Sequence, residues 1–414
     1  MSTPKLEVLK KVYGEDFERA TERFEDIYSK FKKEFPDSEP EFYTAPGRTE
    51  IIGNHTDHNG GHVIAGSISL DSIGAAAKNG TNILHLFNEG YGEFSIDVTK
   101  PEEFPKESGT ISLLAGMAEY LNKNGYNIGG FDVYVTTEVI SSAGVSSSAS
   151  FEMLLMAIIN DLFNDGKLSF ADYAKAGQYA ENVYWNKASG LMDQMACAVG
   201  GPILLSFKDE ITYEKIPFGF GDYGYDMVII NTGKGHADLS EDYSAIPYEM
   251  KAVAAALGAD RLCNTSLEAL VSNMKEVIEK VDNDRAILRA LHYFTEDKRV
   301  LDMVEAVDNE DFETILSLIK ESGVSSYELL QNVFTNAAPT EQKITLALAI
   351  TNLFLEKKGR GICRVHGGGF AGVIQTILPH EDLDEYVEYM SKYFGRDNVY
   401  PMNVRAIGAA HLER

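Results

Sequence analysis

The sequence predicts an α+β protein built of two packed lobes, and three observations carry that expectation. Apolar runs of strand character recur at 50–52, 63–70, 72–77, 83–87 and 131–140. Helical periodicity dominates from about 245 to 356, with interruptions near 258–266, 308–311 and 322–326. No repeat, low-complexity stretch or flexible linker separates the two regions, and 414 residues suffice for two domains with a large core. The boundary is expected near 206–225, giving lobes 1–210 and 211–414.

Each element follows from local pattern. Leu6, Leu9, Val12 and Tyr13, then Phe17, Phe24, Ile27, Tyr28 and Phe31, predict helix over 4–34, ended by Pro36 and Pro40. Asn79-Gly80 marks a turn between strands. Residues 111–124 and 147–163 read as helices, and 170–199 as mostly helical. Ile203-Leu204-Leu205 and Met227-Val228-Ile229-Ile230 read as buried strands. Three short apolar runs, around 362–365, 373–378 and 399–407, flank a helix at 381–394.

Lys plus Arg number 37 against 63 Asp plus Glu, a formal charge of −26. Such an excess of carboxylates disfavours nucleic acid and anionic membranes as partners. Any phosphate site must rest on local backbone N–H groups, a metal ion and a few placed cations. Cys197, Cys263 and Cys363 are odd in number and far apart, form no ligand pattern and fit a reducing compartment. The first residues lack the apolar core of a signal peptide and no window approaches a membrane span, so a cytoplasmic location is expected.

Four segments carry chemistry. Residues 45–62, from Ala45-Pro46-Gly47-Arg48 through Asn54-His55-Thr56-Asp57-His58-Asn59 to His62, gather a guanidinium, amides, imidazoles and a carboxylate, punctuated by glycines. They suit a small polyhydroxylated ligand. The second segment, Ser141 to Ser150, lies between the apolar strand from Phe131 to Ile140 and a helix marked by Phe151, Leu154, Leu155, Ile158, Ile159, Leu162 and Phe163. Small residues at a helix N-terminus let unpaired N–H groups converge on an anion. Ser147 or Ser148 could ligate Mg²⁺ on a nucleotide; the alternative is a Ser-rich N-cap without a ligand. This is not a Walker loop, because Gly233-Lys234 is followed by Gly235. Third, the glycines of Val365-His366-Gly367-Gly368-Gly369-Phe370-Ala371-Gly372 permit close backbone approach, or simply a tight turn. Fourth, Asp193 within Leu191-Met192-Asp193-Gln194-Met195-Ala196 places a carboxylate in an apolar helical stretch, where it needs a cation or donors unless it faces solvent.

Together, and in this order, these segments resemble the three motifs of the GHMP small-molecule kinase superfamily, which includes galactokinase, homoserine kinase and mevalonate kinase. The resemblance to galactokinases is the closest. Their Gly-Arg-Val-Asn-Leu-Ile-Gly-Glu-His-Thr-Asp-Tyr-Asn frame is here Gly47-Arg48-Thr49-Glu50-Ile51-Ile52-Gly53-Asn54-His55-Thr56-Asp57-His58-Asn59, and their Gly-Leu-Ser-Ser-Ser-Ala-Ser is Gly144-Val145-Ser146-Ser147-Ser148-Ala149-Ser150. Met192-Asp193-Gln194 matches their Met-Asp-Gln. Weaker matches run through His236 and Tyr243, Arg289-Ala290 to Arg299-Val300, and 367–372, so the likeness spans nearly the whole chain.

The resemblance implies an N-terminal mixed-sheet lobe and a C-terminal ferredoxin-like lobe with the site in the cleft between them. It implies ATP- and Mg²⁺-dependent phosphorylation of the anomeric hydroxyl of galactose or a close galacto-configured sugar. Asp193 matches the carboxylate that accepts that hydroxyl's proton, and Arg48 the cation beside it and the γ-phosphoryl group. Asp57, His55, Gly190 and Tyr243 match sugar contacts. Gly144, Val145, Ser146, Ser147, Ser148, Ala149 and Ser150 would hold the triphosphate, with the metal on Ser148 or Ser147. A monomer or weak dimer is expected. Asn54 stands where galactokinases have a Glu that meets the sugar 6-hydroxyl, and His58 where they usually have Tyr. As a sugar contact without negative charge, Asn54 would admit a 6-carboxylate such as that of galacturonate. Ser244-Ala245-Ile246-Pro247-Tyr248-Glu249 replaces an arginine-rich stretch.

Two rival readings remain. His55, Asp57, His58 and His62 could be metallohydrolase ligands, although Gly53 replaces the first histidine of the dinuclear pattern. A non-catalytic sugar and ATP sensor of the same family is the other; its relatives can shorten the serine motif, which here is complete.

Overall fold

The computed structural model describes residues 2–107, 109–141, 144–187, 189–233, 239–370 and 372–414. Ser142, Ala143, Lys234, Gly235, His236 and Ala371, all part of the sequence patterns above, lie outside the described residues.

Among the described residues, twelve strands form two sheets. In chain order they are β1 (Glu41–Ile52), β2 (His62–Lys78), β3 (Ile83–Asn88), β4 (Gly92–Asp97), β5 (Phe131–Thr137), β6 (Pro202–Ser206), β7 (Thr212–Lys215), β8 (Tyr225–Asn231), β9 (Ile362–Val365), β10 (Val373–Pro379), β11 (Val399–Met402) and β12 (Ala410–Leu412). The first sheet runs β12-β1-β2-β5-β3-β4, with β6 joining the other end of β2 and β7 joining β6. Among the described residues only β3 and β5 pair in parallel, so this is the mixed sheet that was expected. The second sheet is antiparallel, ordered β11-β8-β10-β9. Its strands and the helices between them follow βαββαβ connectivity. β7 and β12 belong to the first sheet, so the chain crosses an assumed division at 210/211.

Several boundaries differ from the sequence pattern for physical reasons. The runs 63–70 and 72–77 form one strand, because Asp71 is not a break but a buried charge. Its carboxylate takes Arg23 Nη1 at 2.8 Å, Arg405 Nη1 at 2.6 Å, Tyr13 Oη at 2.7 Å and Thr44 Oγ1 at 2.6 Å. β1 begins at Glu41, not 50, and its register shifts between Pro46 and Arg48 and between Glu50 and Ile52 obscure the alternation. Gly14, with φ +58°, splits the first helix into Leu6–Tyr13 and Phe17–Glu34. The run 399–407 leaves the strand after Met402.

The first sheet is covered on both faces. Phe24, Ile27 and Phe31 of the helix Phe17–Glu34 pack with Phe42, Ile73 and Ala75. Leu154, Leu155 and Ile158 of the helix Ser147–Asn164 pack with Tyr43, Ala45 and Val133 on the other side. Each such fully buried aliphatic or aromatic side chain contributes about 1.5–3 kcal/mol. A third cluster bridges the sheets: Ile51, Ile52 and Ile64 meet Val300, Met303, Ile315, Ile319, Ile362 and Ile377. That bridge fixes the end of β1 against the C-terminal half, and the cleft opens there.

Candidate functional site

The serine turn and β1 meet through Arg48. Its backbone N–H donates to the Val145 carbonyl at 3.1 Å, and its Nη1 to the Gly144 carbonyl at 2.5 Å. Its Nε donates to Asp193 Oδ1 at 2.8 Å, while Ser146 Oγ donates to Asp193 Oδ2 at 2.5 Å. Two sequence-predicted residues, Arg48 of β1 and Ser146 of the serine turn, thus converge on the carboxylate of Asp193 in the helix Met192–Val199. Burial pushes the Asp193 carboxyl up, but the Arg48 charge and the hydrogen bonds from Arg48 and Ser146 outweigh it, leaving it below the usual carboxylate range. Asp193 is therefore ionised at neutral pH. Each of its oxygens retains a lone pair for a further donor.

Arg48 and Asp193 line a cleft of about 380 Å³ with His55, Asp57, Gly190 and Tyr243, all expected sugar contacts. His55 Nε2 donates to the Gly368 carbonyl at 3.0 Å. Burial and neighbouring His58 push its pKa down to about 4. The ring is therefore neutral near pH 7, with Nδ1 as an acceptor. Gly190 stands beside Asp57: a Cβ built there would lie 3.6 Å from Asp57 Oδ2. Tyr243 Oη donates to the Gly369 carbonyl at 3.1 Å, and any Cβ on Gly368 would collide with the Tyr243 ring. The glycine run is thus packed against the cleft wall rather than forming a mere surface turn.

Asn54 is a correction. It is wholly buried and does not line the cleft. Its Nδ2 donates to Glu50 Oε1 at 3.0 Å and to the Gly367 carbonyl at 2.7 Å, while Oδ1 accepts from Asn332 at 2.8 Å and Ser326 at 3.2 Å. Every hydrogen-bonding site of the amide is taken by protein, so it cannot meet a sugar hydroxyl. Glu50 lines the cleft instead.

On the other side of the turn lies a second cleft, of about 240 Å³, lined by Ser147 and Ser148 together with Asn88, Tyr91, Leu113, Phe151 and Trp185. The N–H groups of Ser147, Ser148 and Ala149 find no acceptor among the described residues, as the first turn of a helix requires. Ser150 is a second correction. Its N–H is spent on the Ser146 carbonyl, and its hydroxyl bonds the Ala45 carbonyl and Ser72 inside the core, both at 2.8 Å. Val145 and Ala149 are also buried and can offer only backbone. Gly144 has φ +66° and Ser146 φ +58°, the left-handed conformations that turn the N–H groups outward.

Sequence reasoning missed Glu181, Lys187 and the second cleft. Glu181, almost fully buried, sits in the widened turn Ala180–Tyr184; it accepts from Ser148 Oγ at 2.9 Å and Lys187 Nζ at 2.5 Å. The available signal was a carboxylate in an apolar helical stretch, the same signal that marked Asp193. The single tryptophan, Trp185, was the available pointer to the second cleft. A metallohydrolase reading finds no ligand set. His62 bonds Asp297, His55 faces a carbonyl, and no three His, Cys, Asp or Glu side chains gather for a metal among the described residues.

Two family models match: the galactokinase galactose-binding signature over residues 29–78 and the GHMP kinases N terminal domain over 112–201. The galactokinase of Clostridium acetobutylicum is 29% identical over 386 residues, covering 91% of this chain and 96% of that protein. The galactokinase of Limosilactobacillus reuteri is 27% identical over 389 residues, covering 91% and 95%. Among solved structures, the Lactococcus lactis galactokinase complexed with galactose superposes with a TM-score of 0.77 at 24% identity, covering 93% of this chain and 98% of that one. The Methanococcus jannaschii mevalonate kinase gives 0.60 at 16%, covering 89% and 99%. At these identities the superpositions establish a shared fold.

Proposed function

We propose that this chain, which carries the galactokinase galactose-binding signature and the GHMP kinase N-terminal domain, is a galactokinase-like sugar kinase that uses ATP to phosphorylate the anomeric hydroxyl of galactose or a close galacto-configured sugar. The observation that carries the proposal is the junction of Arg48, Asp193 and Ser146 where the sugar-sized cleft meets the serine turn.

In this reading the sugar lies in the first cleft with its 1-hydroxyl beside Asp193, which accepts the proton as the oxygen attacks phosphorus. Asp57, His55, Gly190 and Tyr243 orient the ring. Transfer passes through a loose, in-line transition state, so catalysis is mainly positioning and charge stabilisation. The depressed basicity of Asp193 suits that course, since the proton leaves late. Arg48 holds Asp193 in place and offers positive charge next to the transferring group. The free N–H groups of Ser147, Ser148 and Ala149 face the phosphates, and the apolar second cleft takes the base, with Asn88 Oδ1 buried and unpartnered as a receptor for an amino group.

The Ser148 hydroxyl and Glu181 carboxylate fit Mg²⁺: both are hard oxygen donors at the phosphate turn. Bound there on ATP, the ion would neutralise charge on the β- and γ-phosphates. Ser147, whose hydroxyl meets no carboxylate among the described residues, is left to phosphate binding.

ADP release with galactose and ATP tests the proposal. Asp193→Ala should lower kcat roughly 10³-fold while galactose binding persists. Near-normal turnover in that variant removes Asp193 from the mechanism.

A further inference from the structure

Glu50 and Asn54 touch, and the carboxylate of that pair faces the cleft. Glu50 Oε1 accepts from Asn54 Nδ2 and from Arg364 Nη2, both at 3.0 Å. Oε2 receives no hydrogen bond from any described side chain or backbone group, and Glu50 lines the sugar cleft. Residues 48, 49 and 50 pair regularly with 67, 66 and 65 of β2, so Arg48 and Glu50 leave the same face of β1. They stand about 6.6 Å apart along the strand, which sets Glu50 toward the end of the sugar remote from Asp193.

The charges in the cleft are sorted accordingly. Its buried cation, Arg48, and Lys187 are bound to Asp193 and Glu181 at the phosphoryl end. Away from that end the cleft offers the Glu50 carboxylate, Asp57 and neutral His55, with His58 Nε2 3.5 Å from Asp57 Oδ1. Burial pushes the Glu50 carboxyl up, and the Arg364 guanidinium on Oε1 pulls it part of the way back down. Arg364 is itself buried, spends its other donors on the Val365 and Ile51 carbonyls and does not line the cleft. Among the described residues this end therefore offers acceptors and no free cation, and a bound anion there would meet Glu50 Oε2 and Asp57 without a counter-charge of its own.

We infer that Glu50 is a specificity-determining residue, whose free oxygen accepts a hydrogen bond from the exocyclic 6-hydroxyl and excludes a carboxylate at that position. The inference rests on the sugar 1-kinase reading and reverses the expectation drawn from Asn54: galacturonate is rejected, and a 6-ammonium group is tolerated.

The test compares kcat/KM for galactose and galacturonate in the wild-type enzyme and in Glu50→Gln, which keeps an acceptor for Asn54 and Arg364. Repulsion between two charges about 5 Å apart at the cleft wall predicts a wild-type preference for galactose on the order of 100-fold. Glu50→Gln should narrow it about ten-fold or more. A second arm needs no variant: wild-type enzyme should use 6-amino-6-deoxygalactose at least as well as galactose. Equal wild-type use of galactose and galacturonate, an unchanged ratio in Glu50→Gln, or rejection of the amino sugar overturns the role of Glu50 while galactose turnover leaves the kinase reading standing. Turnover of no sugar at all overturns the kinase reading, and the inference with it.

Discussion

At the scale of single residues, Asp193 was legible because a carboxylate in an apolar helical stretch must find a cation or donors, whereas the place of Arg48 beside it came from the resemblance to galactokinases; the structure pairs the two. Asn54 was not legible. Gly53, with φ +107°, and His55, with φ +59°, reverse the backbone on either side of it, so strand alternation no longer tells which way its side chain points. The amide turns inward and joins Glu50, Gly367, Ser326 and Asn332. Its role is therefore structural. Asn54→Ala leaves several buried polar groups without partners and should cost about 3 kcal/mol in urea unfolding. A direct sugar contact would instead raise the KM for galactose and leave stability nearly unchanged.

At the scale of elements, the strand–turn–helix order around residues 131–163 was readable, since the apolar period changes from 2 to 3.6 across a run of small residues. Which donors the turn offers was not readable, because that depends on backbone conformation. Gly144, at φ +66°, carries the carbonyl that Arg48 grips, and a Cβ on it would approach Val373 Cγ2 to 2.9 Å. Gly144→Ala should strain the turn by about 1 kcal/mol or more and misalign both the N–H groups and Arg48. We expect at least a roughly ten-fold fall in kcat/KM for ATP, with galactose affinity little changed. Unaltered ATP kinetics would separate the turn from the nucleotide. The long strand β2 carries a related lesson: Asp71 looked like an interruption because its counter-charges, Arg23 and Arg405, are 48 and 334 residues away.

At the scale of the whole molecule, the two sheets share apolar clusters. Besides the bridge at the end of β1, Ile68, Val139 and Val145 pack with Met227, Ile229, Val373 and Met402. The serine turn is thus seated on the second sheet as well as the first, and C-terminal β12 closes the edge of β1. These contacts hold the two clefts on either side of one turn, the arrangement an in-line transfer between a sugar and ATP requires. The general α+β plan was visible in the sequence; the return of residues 410–412 to the first sheet was not, because so short an edge strand has no periodicity of its own. The proposed chemistry makes a positional demand on the product. ³¹P NMR of a reaction of galactose with ATP reads it directly: the account predicts a phosphorus coupled to the anomeric proton, growing in roughly 10³-fold more slowly with Asp193→Ala. Phosphate on the 6-oxygen, or the same 1-phosphate formed at full rate by the variant, would contradict it.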